Sequence, residues 1–354
     1  MGMAGSKFDK RIEGLHGGAW AKVAQIDELK GQWTAGARLS PQILGRLKQS
    51  VLVTSTGAST RIEGARLSDE DIEKLMRGIS IQKFTDRDKQ EVKGYFELLR
   101  TVFDAWKSIR LNESTIKHLH QEMLKFVEKD KLHRGQYKKK ENKVHMVDAA
   151  GKSVGTLFDT TPAYLTGKEM QELVEWTTEA LKNKTAHPLL IIGNFIVEFL
   201  KIHPFEDGNG RISRILTNLL LLQEGYLFVP YVSHEKLVED NKPDYYMALR
   251  TSQKTFKSKD EDISAWMNFL LTVLHNQAKA AVNLLTEEDM AKILSPKQLV
   301  VWEFLQTVEE ASPGDIAKKT KVVRATVNQV LTKLVSLKKI ERIGAGRTTR
   351  YRKL

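Results

Sequence analysis

His203-Pro204-Phe205-Glu206-Asp207-Gly208-Asn209-Gly210-Arg211, followed by Arg214, gathers a base, a carboxylate, two glycines and two arginines into twelve positions. His203 is the side chain here whose ordinary pKa lets it accept a proton near neutral pH. Asp207 offers hard oxygens to Mg2+, and Gly208-Asn209-Gly210 can take positive-φ or tightly turned conformations in which successive backbone N–H groups face an anion. The apolar spacing of Ile215, Leu216, Leu219, Leu220 and Leu222 predicts a helix over 212–224, so the loop would deliver a phosphate to a helix N-terminus. Arg211 and Arg214, three apart, would share one face of its first turn. In-line attack on phosphorus needs a positioned base, a cation and donors aimed at phosphate oxygens, and the stretch supplies all three. A lone histidine at a helix end is more often a packed core residue; Asp207, the glycines and both arginines in register favour the chemical reading.

The same string follows the pattern His-Pro-Phe-x-(Asp/Glu)-Gly-Asn-Gly-Arg-x-x-Arg, and on it the chain resembles the Fic family, whose usual activity is transfer of AMP from ATP to a protein hydroxyl. The resemblance implies that His203 takes the proton from a target Ser, Thr or Tyr hydroxyl. It further implies that Asp207 holds Mg2+ against the α- and β-phosphates, that the Gly208, Asn209 and Gly210 backbone forms the anion hole, and that Arg211 and Arg214 grip the β- and γ-phosphates. Phe205 would seat the loop in the core, and Glu206 occupies the variable position. Doc-type kinases of the same fold carry lysine in place of the second glycine, so Gly210 argues for nucleotidyl transfer over phosphorylation.

Far upstream, Ser59-Thr60-Arg61-Ile62-Glu63-Gly64 is similar to the family's inhibitory motif (Ser/Thr)-x-x-x-Glu-(Gly/Asn). The bland alternative is a helix ending at Gly64 with Glu63 in solvent. The resemblance implies that Glu63 pairs with Arg214 in a bidentate contact and occupies the place of the γ-phosphate.

Between the two motifs, Leu119-His120 falls in a helical segment over 114–127, and Arg134-Gly135-Gln136-Tyr137-Lys138 echoes a glycine–aromatic–basic pattern that leads into a flap. Lys138 stands where that pattern commonly has arginine, and no contact is assigned to it. Residues 143–147 and 153–158 read as a β-hairpin around Asp148-Ala149-Ala150-Gly151-Lys152. Flaps of this kind hold a target by adding its extended segment as another strand. His118, His120, His133 and His145 lack the accompanying ligand spacing of a metal site and read as scattered surface or core residues. Tyr245 and Tyr246, after Asn241-Lys242-Pro243-Asp244, are candidates for lining the adenine pocket, against the plainer reading of helix packing.

At 354 residues the chain is long enough for two to three domains with a substantial core. It contains no cysteine, which excludes disulfides and thiol catalysis and suits a reducing cytoplasm. The apolar stretch from Leu189 to Leu200 holds Asn194 and Glu198 and is too short to span a bilayer; it reads as a buried helix feeding His203. No signal-peptide pattern opens the chain, and Met1 to Ser6 read as an extension.

Apolar spacing from Val92 to Trp106 predicts one long helix after Asp86, and another runs over 168–181. The expected class is mainly α: a Fic-type helical bundle over residues 40–285 with a small β-hairpin flap, plus a C-terminal winged helix domain. Its parts would be an N-terminal helical region (1–110) carrying the inhibitory motif, a catalytic core (111–285) and a tail (295–354).

That tail holds 13 Lys or Arg against 5 Asp or Glu, a net +8 of the chain's formal +12. It reads as helices over 296–308, after Ser312, and over 324–337, then a hairpin over 340–343 and 348–352, which looks like a winged helix-turn-helix. Arg324, Thr326, Asn328, Gln329 and Lys333 would face outward on its recognition helix, with Arg347 and Arg350 on the wing. The charge suits DNA, a solubilising face or a protein-docking module.

The resemblance thus implies an autoinhibited protein adenylyltransferase using ATP and Mg2+. An ATP-sensing DNA-binding regulator, and an enzyme that removes AMP at the same site, remain alternatives. The partners so implied are ATP and a protein hydroxyl; the sequence leaves room for DNA at residues 295–354 and for a homodimer, and calls for no membrane.

Overall fold

The computed structural model describes residues 6–36, 39, 41–78, 86–147, 153–337, 339–344 and 349–354. The chain is mainly α-helical, as its patterning indicates, and divides into two units, Met1–Val282 and Asn283–Leu354. The first unit runs α1 (Lys7–Glu13), α2 (Gly17–Gly36), α3 (Pro41–Ile62), α4 (Asp69–Met76), α5 (Asp86–Ala105) and α6 (Glu113–Met123). The hairpin β1 (Lys143–Val147) and β2 (Ser153–Asp159) follows, then α7 (Ala163–Asn183), α8 (Pro188–Ile202), α9 (Asn209–Gln223), α10 (His234–Asp240), α11 (Lys242–Gln253) and the greater part of α12 (Ser264–Ile293), whose last residues belong to the second unit.

Helix α8 is apolar on nearly every side, and such a helix is stable only when enclosed. It packs between α7 and α9, and every residue from Leu189 to Leu200 is buried. Its two polar members are satisfied by α1. Glu198 pairs with Lys7 at 2.7 Å and Arg11 at 2.8 Å, while Asn194 Nδ2 donates to the Phe8 carbonyl at 2.8 Å. Ser6, expected to be part of an extension, instead caps α1: its hydroxyl accepts from the Asp9 N–H and its own N–H donates to the Asp9 carboxylate.

Two helices begin earlier than their periodicity suggests. Helix α7 starts at Ala163, ahead of the expected 168, and Thr166 donates within the helix to the Pro162 carbonyl rather than capping it. Helix α9 starts at Asn209 instead of 212, so part of the expected loop is its first turn. The flap is an antiparallel pair with Lys143 opposite Asp159 and Val147 opposite Ser153; its turn, 148–152, lies outside the described residues.

The second unit contains α13 (Pro296–Gln306), β3 (Glu310–Ala311), α14 (Pro313–Thr320), α15 (Arg324–Ser336), β4 (Ile340–Ile343) and β5 (Arg350–Lys353). The strands form an antiparallel sheet in the order β3-β5-β4. β3 has only two residues, too few for period-two alternation to reveal it in the sequence. Trp302, Leu305, Ile316, Val330, Leu334 and Ile340 belong to its core. Ser312 caps α14 by accepting from the Asp315 N–H. Arg324, Asn328 and Gln329 are exposed on α15, with Thr326 and Lys333 half-buried. Arg350 is exposed on β5, whereas Arg347 lies outside the described residues. Among the described residues no helix is long and apolar enough to cross a membrane.

Candidate active site

His203 is delivered by the end of α8. Its backbone is left-handed (φ 52°) and its N–H closes the helix on the Phe199 carbonyl at 2.9 Å. Pro204 follows and cannot continue the ladder. The Nδ1 atom lies 3.2 Å from the Leu200 carbonyl, which can only accept, so Nδ1 carries the proton and Nε2 is left as the basic atom. Burial, with a contribution from the Lys138 ammonium, pulls the imidazole pKa down to about 4. The ring is therefore neutral at pH 7 and able to accept a proton.

Phe205 is fully buried and stacks on His120 with ring centres 3.8 Å apart. His120 is itself wholly buried. It accepts from the Gly135 N–H at 2.9 Å through Nδ1 and donates through Nε2 to the Asp207 carbonyl at 3.0 Å. Burial lowers its pKa to about 4, so it is a neutral core histidine that braces the loop.

Gly208 is the residue before α9, with φ 78°, and no side chain caps that helix. The first-turn N–H groups of any helix have no intrahelical carbonyl to meet, so they face the loop. Gly210 is helical rather than positive in φ, contrary to the expected turn. Its glycine identity answers to space, because a Cβ there would overlap Glu63 Oε1 and stand 3.3 Å from Arg214 Nη1. The Asn209 side chain is spent on Phe205, accepting from its N–H at 2.9 Å and donating to its carbonyl at 2.8 Å. Asn209 can thus offer an anion only its backbone.

Arg211 and Arg214 are both buried but do not share a set of partners. Arg211 reaches Asp207 Oδ2 at 2.9 Å and Glu91 Oε2 at 2.8 Å. Burial opposes ionisation of Asp207, but Arg211 and the Gly208 N–H hold its carboxyl below the usual range. Asp207, Glu91 and Asp130 each bring a carboxylate oxygen to within 4.8 Å of the others. Asp130 Oδ2 is buried without a hydrogen bond, and Arg87 Nη2 lies 3.7 Å from it and 3.2 Å from Asp207 Oδ2. Hard oxygens of this kind suit Mg2+. Glu91, Asp130 and Arg87 carried no motif in the sequence; only the fold brings them to Asp207.

Arg214 turns the other way, towards α3. Its Nη2 lies 2.7 Å from Glu63 Oε1 and 2.9 Å from the Ser59 carbonyl, and its Nε donates to Ser59 Oγ at 2.8 Å. The expected bidentate pair is therefore a fork shared between Glu63 and Ser59, while Nη1 is buried without a hydrogen-bond partner. Gly64 ends the motif with φ 104°. Tyr245 is buried beside Arg214, with its hydroxyl pKa pushed up to about 12 by burial. Tyr246 packs edge-on against it, centroids 5.1 Å apart, and burial raises its pKa too. One turn beyond Arg214, Asn218 donates to the buried Glu235 at 2.6 Å, which also accepts from Tyr95 at 3.2 Å and Ser233 at 3.2 Å. Ser233 in turn meets Ser55 of α3 at 2.7 Å, so α3 and α9 are tied by a second polar chain.

Lys138, given no contact from sequence, is almost wholly buried against this turn. Its Nζ donates to Ile202 O, Thr160 Oγ1 and Asn142 Oδ1 at 2.8–3.0 Å, and its backbone N–H to Pro204 O at 2.8 Å. The basic residue closing the glycine–aromatic–basic pattern was the sequence signal that could have found it.

The Fic/DOC family profile matches residues 110–221. The chain is 31% identical over 109 residues to a Fido domain-containing protein of Dictyostelium discoideum, covering 31% of this chain and 71% of that protein. It is 26% identical over 160 residues to a probable protein adenylyltransferase of Aquifex aeolicus, covering 40% of this chain and 49% of that one. It thus spans about half the length of that relative. A Fic family protein from Desulfovibrio desulfuricans G20 superposes with a TM-score of 0.62 over 96% of this chain and 97% of that one, at 24% identity. Fic-1 of Caenorhabditis elegans gives 0.61 over 76% and 73%, at 17% identity. At these identities the structural likeness speaks for the fold.

Proposed function

This chain belongs to the Fic/DOC family, and from that premise we propose that it is an adenylyltransferase moving AMP from ATP to a Ser, Thr or Tyr hydroxyl of a protein. The observation that carries the reading is His203, its Nδ1 held by the Leu200 carbonyl and its Nε2 left as the basic atom, at the mouth of an uncapped helix flanked by two buried arginines. Nε2 takes the hydroxyl proton as the oxygen attacks the α-phosphorus; the bond to the bridging oxygen breaks and pyrophosphate leaves. The N–H groups of α9's first turn and the Arg211 guanidinium meet the charge on the phosphates. Asp207, with Asp130 and Glu91 beside it, would hold Mg2+, which neutralises charge on the α- and β-phosphates when bound. Tyr245 and Tyr246, which pack against each other, would line the adenine.

A general base contributes about 10²–10⁴-fold, so His203→Ala should abolish labelling of the chain and of lysate proteins by α-labelled ATP and Mg2+ while ATP binding persists. Undiminished labelling by that variant would remove His203 from the mechanism and sink the reading.

Glu63 and Ser59 already occupy Arg214, which supports an inhibited resting state in which the γ-phosphate lacks its partner. For the tail we infer a winged helix-turn-helix that binds duplex DNA, since the excess charge of residues 295–354 coincides with exposed Arg324, Asn328 and Gln329 on one helix. The need for ATP and a sequence free of cysteine support a cytoplasmic location.

A further inference from the structure

Four carbonyls around His203 are held by donors from the two feet of the flap. Lys201 O accepts from the Thr161 N–H at 3.2 Å, Ile202 O from Lys138 Nζ at 3.0 Å, Pro204 O from the Lys138 N–H at 2.8 Å and Phe205 O from Asn142 Nδ2 at 3.0 Å. Residues 138–142 lead into β1 and residues 160–161 leave β2. The feet are also joined to each other, through the Thr160 hydroxyl at 2.8 Å from the Asn142 carbonyl. We propose that Lys138 is a positioning residue that locks the left-handed turn of His203 to both feet of the flap, so that the aim of the base and the seating of the flap are one geometry. The proposal rests on the reading of His203 as the base.

A non-glycine residue with positive φ costs about 1–2 kcal/mol and persists only when its surroundings over-determine it. The surroundings here are these carbonyl contacts, and Lys138 makes two of them, one on each side of His203. Its ammonium has three protons and meets three acceptors, Asn142 Oδ1 at 2.8 Å, Thr160 Oγ1 at 2.9 Å and Ile202 O, so the head is fully used. Burial lowers its pKa to about 8, with Glu141 and Glu169 opposing the shift and Lys201 adding to it. Above that pH the neutral amine has two protons for three acceptors, and one carbonyl or hydroxyl loses its donor. Misplacing a reacting group by about 1 Å can cost on the order of 10²-fold in rate, so a loosened turn is read in kcat rather than in nucleotide affinity.

The test measures self-labelling of the full chain with α-labelled ATP and Mg2+ from pH 6 to about 9.5 in wild type, Lys138→Met, Lys138→Arg and His203→Ala, with thermal melts alongside. Lys138→Met should lose about tenfold or more in kcat with KM for ATP nearly unchanged. Wild type should decline above pH about 8 while Lys138→Arg, whose head stays charged, does not. Labelling by Lys138→Met at the wild-type rate, or with kcat unchanged and KM raised, overturns the proposal. Should Lys138→Met fail to fold, the alkaline limb decides: an identical decline in wild type and Lys138→Arg overturns it. Labelling retained by His203→Ala refutes the base itself, an outcome separate from either.

Discussion

Glu63 Oε1 stands 2.7 Å from Arg214 Nη2 across 151 residues of sequence, and the same oxygen fills the space in front of the Gly210 Cα. One carboxylate therefore engages the second arginine of the loop and crowds the helix turn that would receive phosphate. Burial works against the charge on Arg214, yet Glu63 keeps its pKa raised, so the guanidinium remains cationic throughout.

Hydrogen bonds to charged groups are worth about 1.5–3 kcal/mol, so releasing Arg214 by Glu63→Gly should raise AMP transfer by about 10–100-fold. Arg214→Ala also frees Glu63 but removes the phosphate clamp, and it should be inactive. The double variant should be no better than Arg214→Ala, the non-additivity expected of groups acting as one unit. Labelling rates of the four proteins check this; an unchanged rate in Glu63→Gly would leave Glu63 as a helix-end residue without an inhibitory role.

His120 links acid stability to the loop. Its folded pKa of about 4 lies below the ordinary 6.5, so as pH falls through that window the unfolded chain binds a proton that the folded chain refuses. Stability should therefore decline from pH 6.5 towards 4, by on the order of 3 kcal/mol from this residue, with His203 adding in the same direction. Urea unfolding between pH 6.5 and 5, where most carboxylates remain ionised, should show the decline, and His120→Gln should show less of it.

Gly208 and Gly210 should respond differently to alanine. At Gly208, φ is 78° and a Cβ would meet Met123 Cε at 2.5 Å, so Gly208→Ala should cost about 1–3 kcal/mol. Gly210 is already helical, and the nearest obstacle is the free end of Glu63, which can swing away. Gly210→Ala should cost less urea stability than Gly208→Ala, since it displaces one partly exposed Glu63–Arg214 contact and strains no backbone, yet lose labelling, because the new methyl stands where phosphate must approach. Equal loss of stability in the two variants would contradict the distinction.

The local part of the site was legible because its determinants are contiguous: His203 at the end of an apolar helix, Gly208 before the next, Phe205 between them. The Glu63–Arg214 contact was legible only through the resemblance, and its form was not, since the Ser59 carbonyl that splits the guanidinium fork belongs to the backbone. Arg211 and Arg214 diverge because their partners come from different elements, Asp207 of the loop and Glu91 of α5 for the first, Ser59 and Glu63 at the end of α3 for the second. Glu91 and Asp130 were missed for a different reason: lone charged residues on polar stretches carry no period, and only packing over long sequence separations makes them neighbours of the loop; Lys138 stood in a recognised pattern, but the acceptors its ammonium meets, Asn142, Thr160 and Ile202, come together only in the fold. Ser6 was set aside because a capping residue is indistinguishable from a tail until the helix it starts is docked on Glu198 and Asn194.

The tail offers a prediction independent of the catalytic reading. If residues 295–354 hold duplex DNA, affinity should fall steeply with salt, with a slope that counts the phosphates neutralised by Lys and Arg. Arg324, exposed at the start of α15, and Arg350, exposed on β5, are two described arginines placed to contribute. Arg324→Ala should weaken binding and, if it meets a phosphate, reduce the slope by about 1; Asn328→Ala, placed to meet base edges, should relax sequence preference with little change of slope. Neither should alter self-labelling, because both lie in a unit separate from the His203 loop. Titrating labelled duplexes between about 0.05 and 0.2 M salt reads both effects. A full-length chain with no salt-sensitive binding at the lower limit would turn the basic face over to a protein partner and leave the adenylyltransferase reading untouched.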